Sequence, residues 1–182
     1  MGRKIIILNG SPRPQGNTAG LIRAFTEGAE SAGNTVTTFF LHGMDIHGCL
    51  GCHGADKSNP DSPCVQKDDM DKIYPVYREA DVVVIASPLY YWNLSGQLRT
   101  AWDRLFAVQE TSHNHRNPIK DCVLLMAAGG GPFDEVLHYY NALLRHIGWR
   151  SLGTVLADHT HAPGDINGRP ELEEARKLGL KA

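Results

Sequence analysis

The sequence predicts an α/β protein: a doubly wound, five-stranded parallel sheet in the order 2-1-3-4-5, with helices on both faces. Three observations predict it. Five apolar or β-branched runs alternate with segments of helical period along 182 residues, as repeated strand–helix–strand units require. Some of those runs are nearly continuous in apolar side chains, the pattern of strands covered on both faces. Right-handed crossovers among five such strands favour that order.

The first run is Ile5-Ile6-Ile7-Leu8, followed by Gly10-Ser11-Pro12-Arg13-Pro14-Gln15-Gly16-Asn17-Thr18. A helix starting near Thr18 then places Leu21, Ile22, Phe25, Ala29 and Ala32 on one stripe, with Asn17 or Thr18 as its cap. The second strand is Thr35 to Leu41. Residues Asp68–Ala80 carry the stripe Met70, Ile73, Tyr77 with Pro75 inside it, which predicts a short or kinked helix. The third and fourth strands are Asp81–Ala86 and Cys122–Ala128. Between them Ser95 caps a helix bearing Leu98, Ala101, Trp102, Leu105 and Phe106. Asp134 caps the next, with Val136, Leu137, Tyr140, Leu143, Leu144 and Ile147 inward and Gly148 as the stop. A weaker fifth strand, Ser151–Leu156, precedes a charged helix from Pro170 to Leu178 that is expected on the surface. Two irregular stretches, 42–67 and 109–120, interrupt the pattern, and the second reads as a mobile connection.

Apolar content of 42% and charged content of 21% suit one domain, residues 1–182, with a full core. A net charge of −2 gives no electrostatic case for nucleic acid or an anionic membrane. No signal-peptide pattern follows Met1, and no apolar run approaches the roughly 20 residues of a membrane span. A cytoplasmic protein is expected.

In such a sheet the ligand binds at the carboxyl ends of the strands, where the crossovers reverse. Three loops meet that description. The Gly10–Thr18 loop joins a buried strand to a helix N-terminus and so suits a phosphate. It is not a nucleoside-triphosphate loop. Five residues separate Gly10 from Gly16, and Asn17 stands where the lysine of that motif belongs. The G-x-G-x-x-G dinucleotide pattern is absent as well. The second loop, Ser87-Pro88-Leu89-Tyr90-Tyr91-Trp92-Asn93, groups three aromatics that offer flat faces to a planar ring. The third, Gly129-Gly130-Gly131, lets the backbone approach a ring edge. A phosphate grip with two ring walls points to FMN rather than NAD or ATP.

These blocks, together with Ser95-Gly96-Gln97-Leu98-Arg99 and Asp103-Arg104, resemble the NAD(P)H-dependent FMN reductase family of the flavodoxin-like fold. Cys49-Leu50-Gly51-Cys52 and Cys64-Val65-Gln66-Lys67-Asp68-Asp69-Met70 resemble its branch related to iron–sulfur flavoproteins. The resemblance implies that Ser11, Arg13, Gly16, Asn17 and Thr18 hold the FMN phosphate. It implies that Pro88, Leu89, Tyr90, Tyr91, Trp92 and Asn93 line the ring and ribityl chain, with Gly129, Gly130 and Gly131 at the opposite edge. It also implies NAD(P)H as co-substrate. The acceptor would be a quinone, a flavin, an azo or nitro compound, or a redox protein. No side chain need act as nucleophile or obligatory acid, so no catalytic residue is assigned. A non-enzymatic flavodoxin-type electron carrier is the alternative, and a flavin-less regulatory domain a third reading. The aromatic loop predicts a homodimer or homotetramer. His159 and His161 follow the last strand and are expected to be solvated.

Cys122 lies in an apolar run and is expected in the core, whereas Cys49, Cys52 and Cys64 share a loop. Iron–sulfur flavoproteins carry C-x₂-C-x₂-C followed by a fourth cysteine. Here Ala55 stands at the third position, leaving three thiols. No iron–sulfur cluster and no other metal site is expected. A vestigial cluster loop or a redox-sensitive thiol pair is the preferred reading over zinc with His42, His47 or His53.

Overall fold

The structure is a computed structural model and describes residues 2–182. Five strands, β1 (Lys4–Asn9), β2 (Thr35–Phe40), β3 (Val82–Pro88), β4 (Asp121–Ala127) and β5 (Arg150–Ala157), form one sheet in the order β2-β1-β3-β4-β5. Every pairing is parallel. Six α-helices connect them: α1 (Asn17–Ser31), α2 (Met70–Glu79), α3 (Gly96–Arg104), α4 (Phe106–Thr111), α5 (Asp134–Ile147) and α6 (Pro170–Lys181). A short 3₁₀ turn, Leu41–Gly43, follows β2.

Side chains alternate along a strand, and the core divides accordingly. Ile5 and Ile7 pack with Leu21, Phe25 and Ala29 of α1 and Ala175 of α6. Ile6 and Leu8 face the other way, toward Ile73 and Tyr77 of α2, Leu98 of α3 and Val136 and Tyr140 of α5. Residues Ile5–Leu8 are at most 2% exposed. Their burial stabilises the fold by on the order of 6–12 kcal/mol, an upper bound. The edge strand β2 is only half covered, which explains its mixture of threonine with aromatic residues.

Ser95 caps α3 as expected, its Oγ accepting from the Leu98 N–H at 3.3 Å. Gly148 ends α5 with φ of 74°, a left-handed position that favours glycine. Cys122 is fully buried. Several elements differ from expectation. The N-cap of α1 is Gly16, and no side chain caps the helix. Asp134 is the first residue of α5 rather than its cap. The helix after Ser95 breaks at Leu105 into α3 and α4. The stretch 109–120 begins inside α4, and its far end is tied to the core by the Trp149 indole, which donates to the Pro118 carbonyl at 2.8 Å.

The largest departure is α6. Its charges are exposed, but Ala175 and Gly179 are buried against α1. A Cβ on Gly28 would lie 2.0 Å from the Arg176 carbonyl oxygen, and one on Gly179 would lie 2.1 Å from that of Phe25. The two backbones touch where both helices lack side chains, a contact that charge pattern does not announce.

Candidate functional site

The loops after β1, β3, β4 and β5 form an open cleft of about 210 Å³ at the carboxyl end of the sheet. Ser11, Arg13, Gly16, Asn17 and Thr18 form one side. The Asn9 side-chain oxygen accepts from the Ser11 N–H at 3.0 Å, and Ser11 Oγ accepts from the Arg13 N–H at 3.2 Å, so the loop curls back on itself. Gly10 sits against α3. Its carbonyl accepts from Ser95 Oγ at 2.7 Å, and a Cβ there would lie 2.5 Å from the same oxygen.

No side chain caps α1, and Gly16, Asn17 and Thr18 at its start line the cleft, where the first amides of a helix lack an intrahelical partner. Arg13 adds a formal positive charge, and no carboxylate lines the cleft among the described residues. Uncapped N–H groups at a helix N-terminus, two hydroxyls and one guanidinium suit a phosphate dianion. The residues present therefore fit the phosphate end of FMN.

Asn17 has a different part from the one the loop suggests. Asn17 is 7% exposed, and its side chain is engaged by backbone groups of the segment after β5. Its Nδ2 donates to the carbonyls of Thr160 and Ala162, at 3.3 and 2.9 Å. Its Oδ1 accepts from the amides of Gly164 and Ile166, at 3.1 and 3.2 Å. The amide group is saturated by the segment after β5, so Asn17 offers the cleft its backbone. Its side chain fastens a fourth loop to the first.

That fourth loop brings in Thr160 and His161. Thr160 is committed to the β4 loop, since its N–H and its Oγ1 both donate to the Ala128 carbonyl, at 2.8 and 2.9 Å. His161 stands over Gly129, where a Cβ would lie 2.8 Å from its Nδ1. Both histidines are exposed, as expected; His159 points outward beside Asp158, whereas His161 also lines the cleft. Spacing alone did not reveal this, because a 32-residue gap separates the two segments joined at Ala128.

Pro88, Leu89 and Tyr90 line the opposite wall of the cleft, and Ala127, Ala128 and Gly129 its floor. Beyond them Leu89, Tyr91, Trp92, Gly130 and Gly131 edge an adjoining shallow recess. Asn93 lines neither; it closes the turn through reciprocal backbone bonds with Tyr90 at 3.0 Å. Tyr91 and Trp92 have φ of 46° and 58°. Two left-handed central residues make a type I′ turn, which ordinarily selects Asn-Gly. Aromatic residues there cost on the order of 1–3 kcal/mol each. The turn holds Tyr91 94% exposed and Trp92 53% exposed beside the recess.

The cysteine loop lies apart, over α3 and α4. Arg104 anchors it. The guanidinium is fully buried and pairs with Asp68 at 2.6 Å, and it also donates to the carbonyls of His47 and Gln66. Burial pushes the Asp68 carboxyl up, but hydrogen bonds from Arg104 and from the amides of His47 and Met70 outweigh it and hold the group below the usual carboxylate range. The residues do not fit a four-cysteine cluster. Ala55 occupies the third ligand position, His53 Nδ1 is engaged by Glu110 at 3.0 Å, and Asp56 is engaged by Ser58 at 2.7 Å. Among the described residues no three His, Cys, Asp or Glu side chains converge in metal-ligating geometry.

Comparison with known proteins agrees with this architecture. An iron–sulfur flavoprotein of Archaeoglobus fulgidus is 32% identical over 98% of this chain and 78% of its own length. The NAD(P)H:quinone oxidoreductase of Methanothermobacter marburgensis superposes with a TM-score of 0.77 at 20% identity, over 100% of this chain and 96% of the other. An FMN-dependent NADH-azoreductase of Bacillus anthracis, in complex with FMN, gives 0.70 at 14% identity, over 97% and 98%. At those identities the two structures speak for the fold. Residues 3–162 match the flavin-dependent oxidoreductase family described as NADPH-dependent FMN reductase. The chain belongs to that family, and FMN is the cofactor its membership supports.

Proposed function

We propose that this protein is an FMN-dependent NAD(P)H oxidoreductase acting on a small planar acceptor such as a quinone, a flavin, or an azo or nitro compound. The observation that carries this reading is the juxtaposition of two differently built compartments. One is a polar cleft at the uncapped start of α1. The other is an apolar recess between the Tyr91–Trp92 turn and Gly130–Gly131, open to solvent. A phosphate in the first would place a ring system toward the second.

When bound, FMN supplies a ring that takes a hydride from the nicotinamide and gives two electrons to an acceptor. The residues do the positioning. The first amides of α1, Ser11 and Thr18 fix the phosphate, and Arg13 offsets its charge. Pro88, Leu89 and Tyr90 support one wall, and the bare backbone at Gly129 allows close approach at the other. Tyr91 and Trp92 offer stacking surface to whichever planar molecule enters, so donor and acceptor use one face in turn. No proton-transferring side chain is required. The open recess and a net charge of −2 favour small molecules over an electrostatically docked redox protein.

The exposed aromatic turn also supports a homodimer or homotetramer in which a second copy covers Tyr91, a reading that light scattering on the Tyr91→Ser variant checks. Stopped-flow mixing of the flavin-loaded protein with NADPH or NADH tests the activity. Loss of the oxidised-flavin absorbance within seconds supports a reductase. Flavin that neither nucleotide bleaches contradicts it and leaves the electron-carrier reading.

A further inference from the structure

The three loop cysteines share a small cavity of about 30 Å³, room for a molecule the size of water or peroxide. The cavity is built by a local fold. The Asp56 N–H donates to the Pro63 carbonyl at 2.8 Å, closing residues 56–63 into a compact excursion and laying Cys64 back against the 52–55 segment. A Cβ on Gly54 would lie 3.5 Å from Cys52 Sγ and 3.0 Å from Val65, the neighbour of Cys64. Cys52 is exposed and Cys64 half-buried.

A second observation marks the same cavity. Arg104, whose side chain is fully buried, forms part of its wall. Its two terminal nitrogens are occupied by Asp68 and backbone carbonyls, but its buried Nε–H has no hydrogen-bond partner among the described residues. Buried donors are rarely left so. Cys64 lines the same cavity as Arg104 and packs against the cluster that contains Tyr74. Anionic sulfur, or an oxygen carried on that sulfur, would supply the missing acceptor.

We propose that Cys64 and Cys52 form a peroxide-responsive thiol pair, with Cys64 as the oxidised residue, Cys52 as the resolving residue and Arg104 as the group that holds the oxidised sulfur. In the first step the Cys64 thiolate attacks hydrogen peroxide. An S–O bond forms, the O–O bond breaks and hydroxide leaves, giving a sulfenic acid. In the second, Cys52 attacks the Cys64 sulfur. An S–S bond forms, the S–O bond breaks, and the departing hydroxide takes up the Cys52 proton as water. Two thiols and one peroxide yield one disulfide and two waters. Low-molecular-weight thiols return the pair to its starting state. The site stands independently of the flavin reading, since neither step uses the cleft after β1.

The test treats the full-length protein, purified under reducing conditions, with one equivalent of hydrogen peroxide. Free thiols are then alkylated and peptides mapped by mass. The expected result is a Cys52–Cys64 cross-linked peptide, two hydrogens lighter than the separate peptides and abolished by dithiothreitol, with Cys49 still alkylatable. In C52S the cross-link is lost and Cys64 is trapped by a sulfenic-acid-specific diketone. In R104K, checked for folding by circular dichroism, the yield of trapped Cys64 falls several-fold. If R104K does not fold, the C52S trapping result decides alone. A predominant Cys49–Cys52 cross-link overturns the proposal. So does unmodified Cys64 in C52S, or stoichiometric iron and sulfide bound after anaerobic reconstitution.

Discussion

Replacing Asn17 by alanine separates two roles that the first loop confounds. The side chain makes four hydrogen bonds, between 2.9 and 3.3 Å, to the backbone of residues 160–166. At about 0.5–1.5 kcal/mol net for each, they sum to roughly 2–6 kcal/mol. Water can reach the outer partners once the side chain is gone, so Asn17→Ala is expected to cost about 3 kcal/mol. Urea unfolding measures this as a lower midpoint at unchanged slope. The same substitution frees the segment carrying Thr160 and His161, and FMN affinity, read by quenching of flavin fluorescence, is expected to fall about tenfold. Thr18→Val is the control. Thr18 lines the cleft and its hydroxyl makes no hydrogen bond among the described residues, so its loss should leave stability within about 0.5 kcal/mol while weakening FMN by roughly tenfold or more. If Asn17→Ala unfolds at the wild-type urea concentration, the clamp does not exist as described.

Three further outcomes follow from single features. The double substitution Tyr91→Asn, Trp92→Gly supplies the residues a type I′ turn selects, so the thermal midpoint should rise by a stabilisation of about 2 kcal/mol, while turnover with a planar acceptor falls. Gly10→Ala places a Cβ 2.5 Å from Ser95 Oγ and 2.7 Å from Leu98 Cβ, and should cost about 1–3 kcal/mol in the same unfolding assay. Asp68→Asn leaves Arg104 buried without its counter-charge, at about 3–5 kcal/mol. The native Asp68 carboxyl lies below its ordinary value of 3.8. Its contribution is therefore present above that pH and lost as pH falls through the lowered native value. Acid unfolding of the Asn variant should accordingly show a shallower pH dependence on that limb.

The legible parts of this molecule are those where one residue type does one physical job. The apolar runs gave away the sheet because a strand buried on both faces has no polar option, and Ser95 gave away α3 because a hydroxyl before a helical stripe has few other uses. The polar cleft was legible as three loops because ligand-facing loops of a parallel sheet must follow strand ends. What escaped was long-range. Asn17 reads as a phosphate ligand or a cap, yet its partners lie more than 140 residues away. His161 enters the cleft only because that clamp and Thr160 fold its segment back. The α1–α6 contact depends on Gly28 lying against the Arg176 backbone and Gly179 against that of Phe25 and Ala29, which neither helix signals by itself. Arg104 was legible only as part of the Asp103-Arg104 block, and its place beneath the cysteine loop as the loop's buried anchor depends on contacts 36 to 57 residues away.

The phosphate grip at the start of α1 is the central claim, and the comparison of FMN with riboflavin tests it most directly. The two ligands share the ring and ribityl chain and differ only in the phosphate. Fluorescence titration of the flavin-free protein should give an FMN dissociation constant at least about 100-fold below that of riboflavin, as charge-assisted hydrogen bonds to several donors require. Thr18→Val should narrow the gap. Equal affinity for the two flavins would contradict the account.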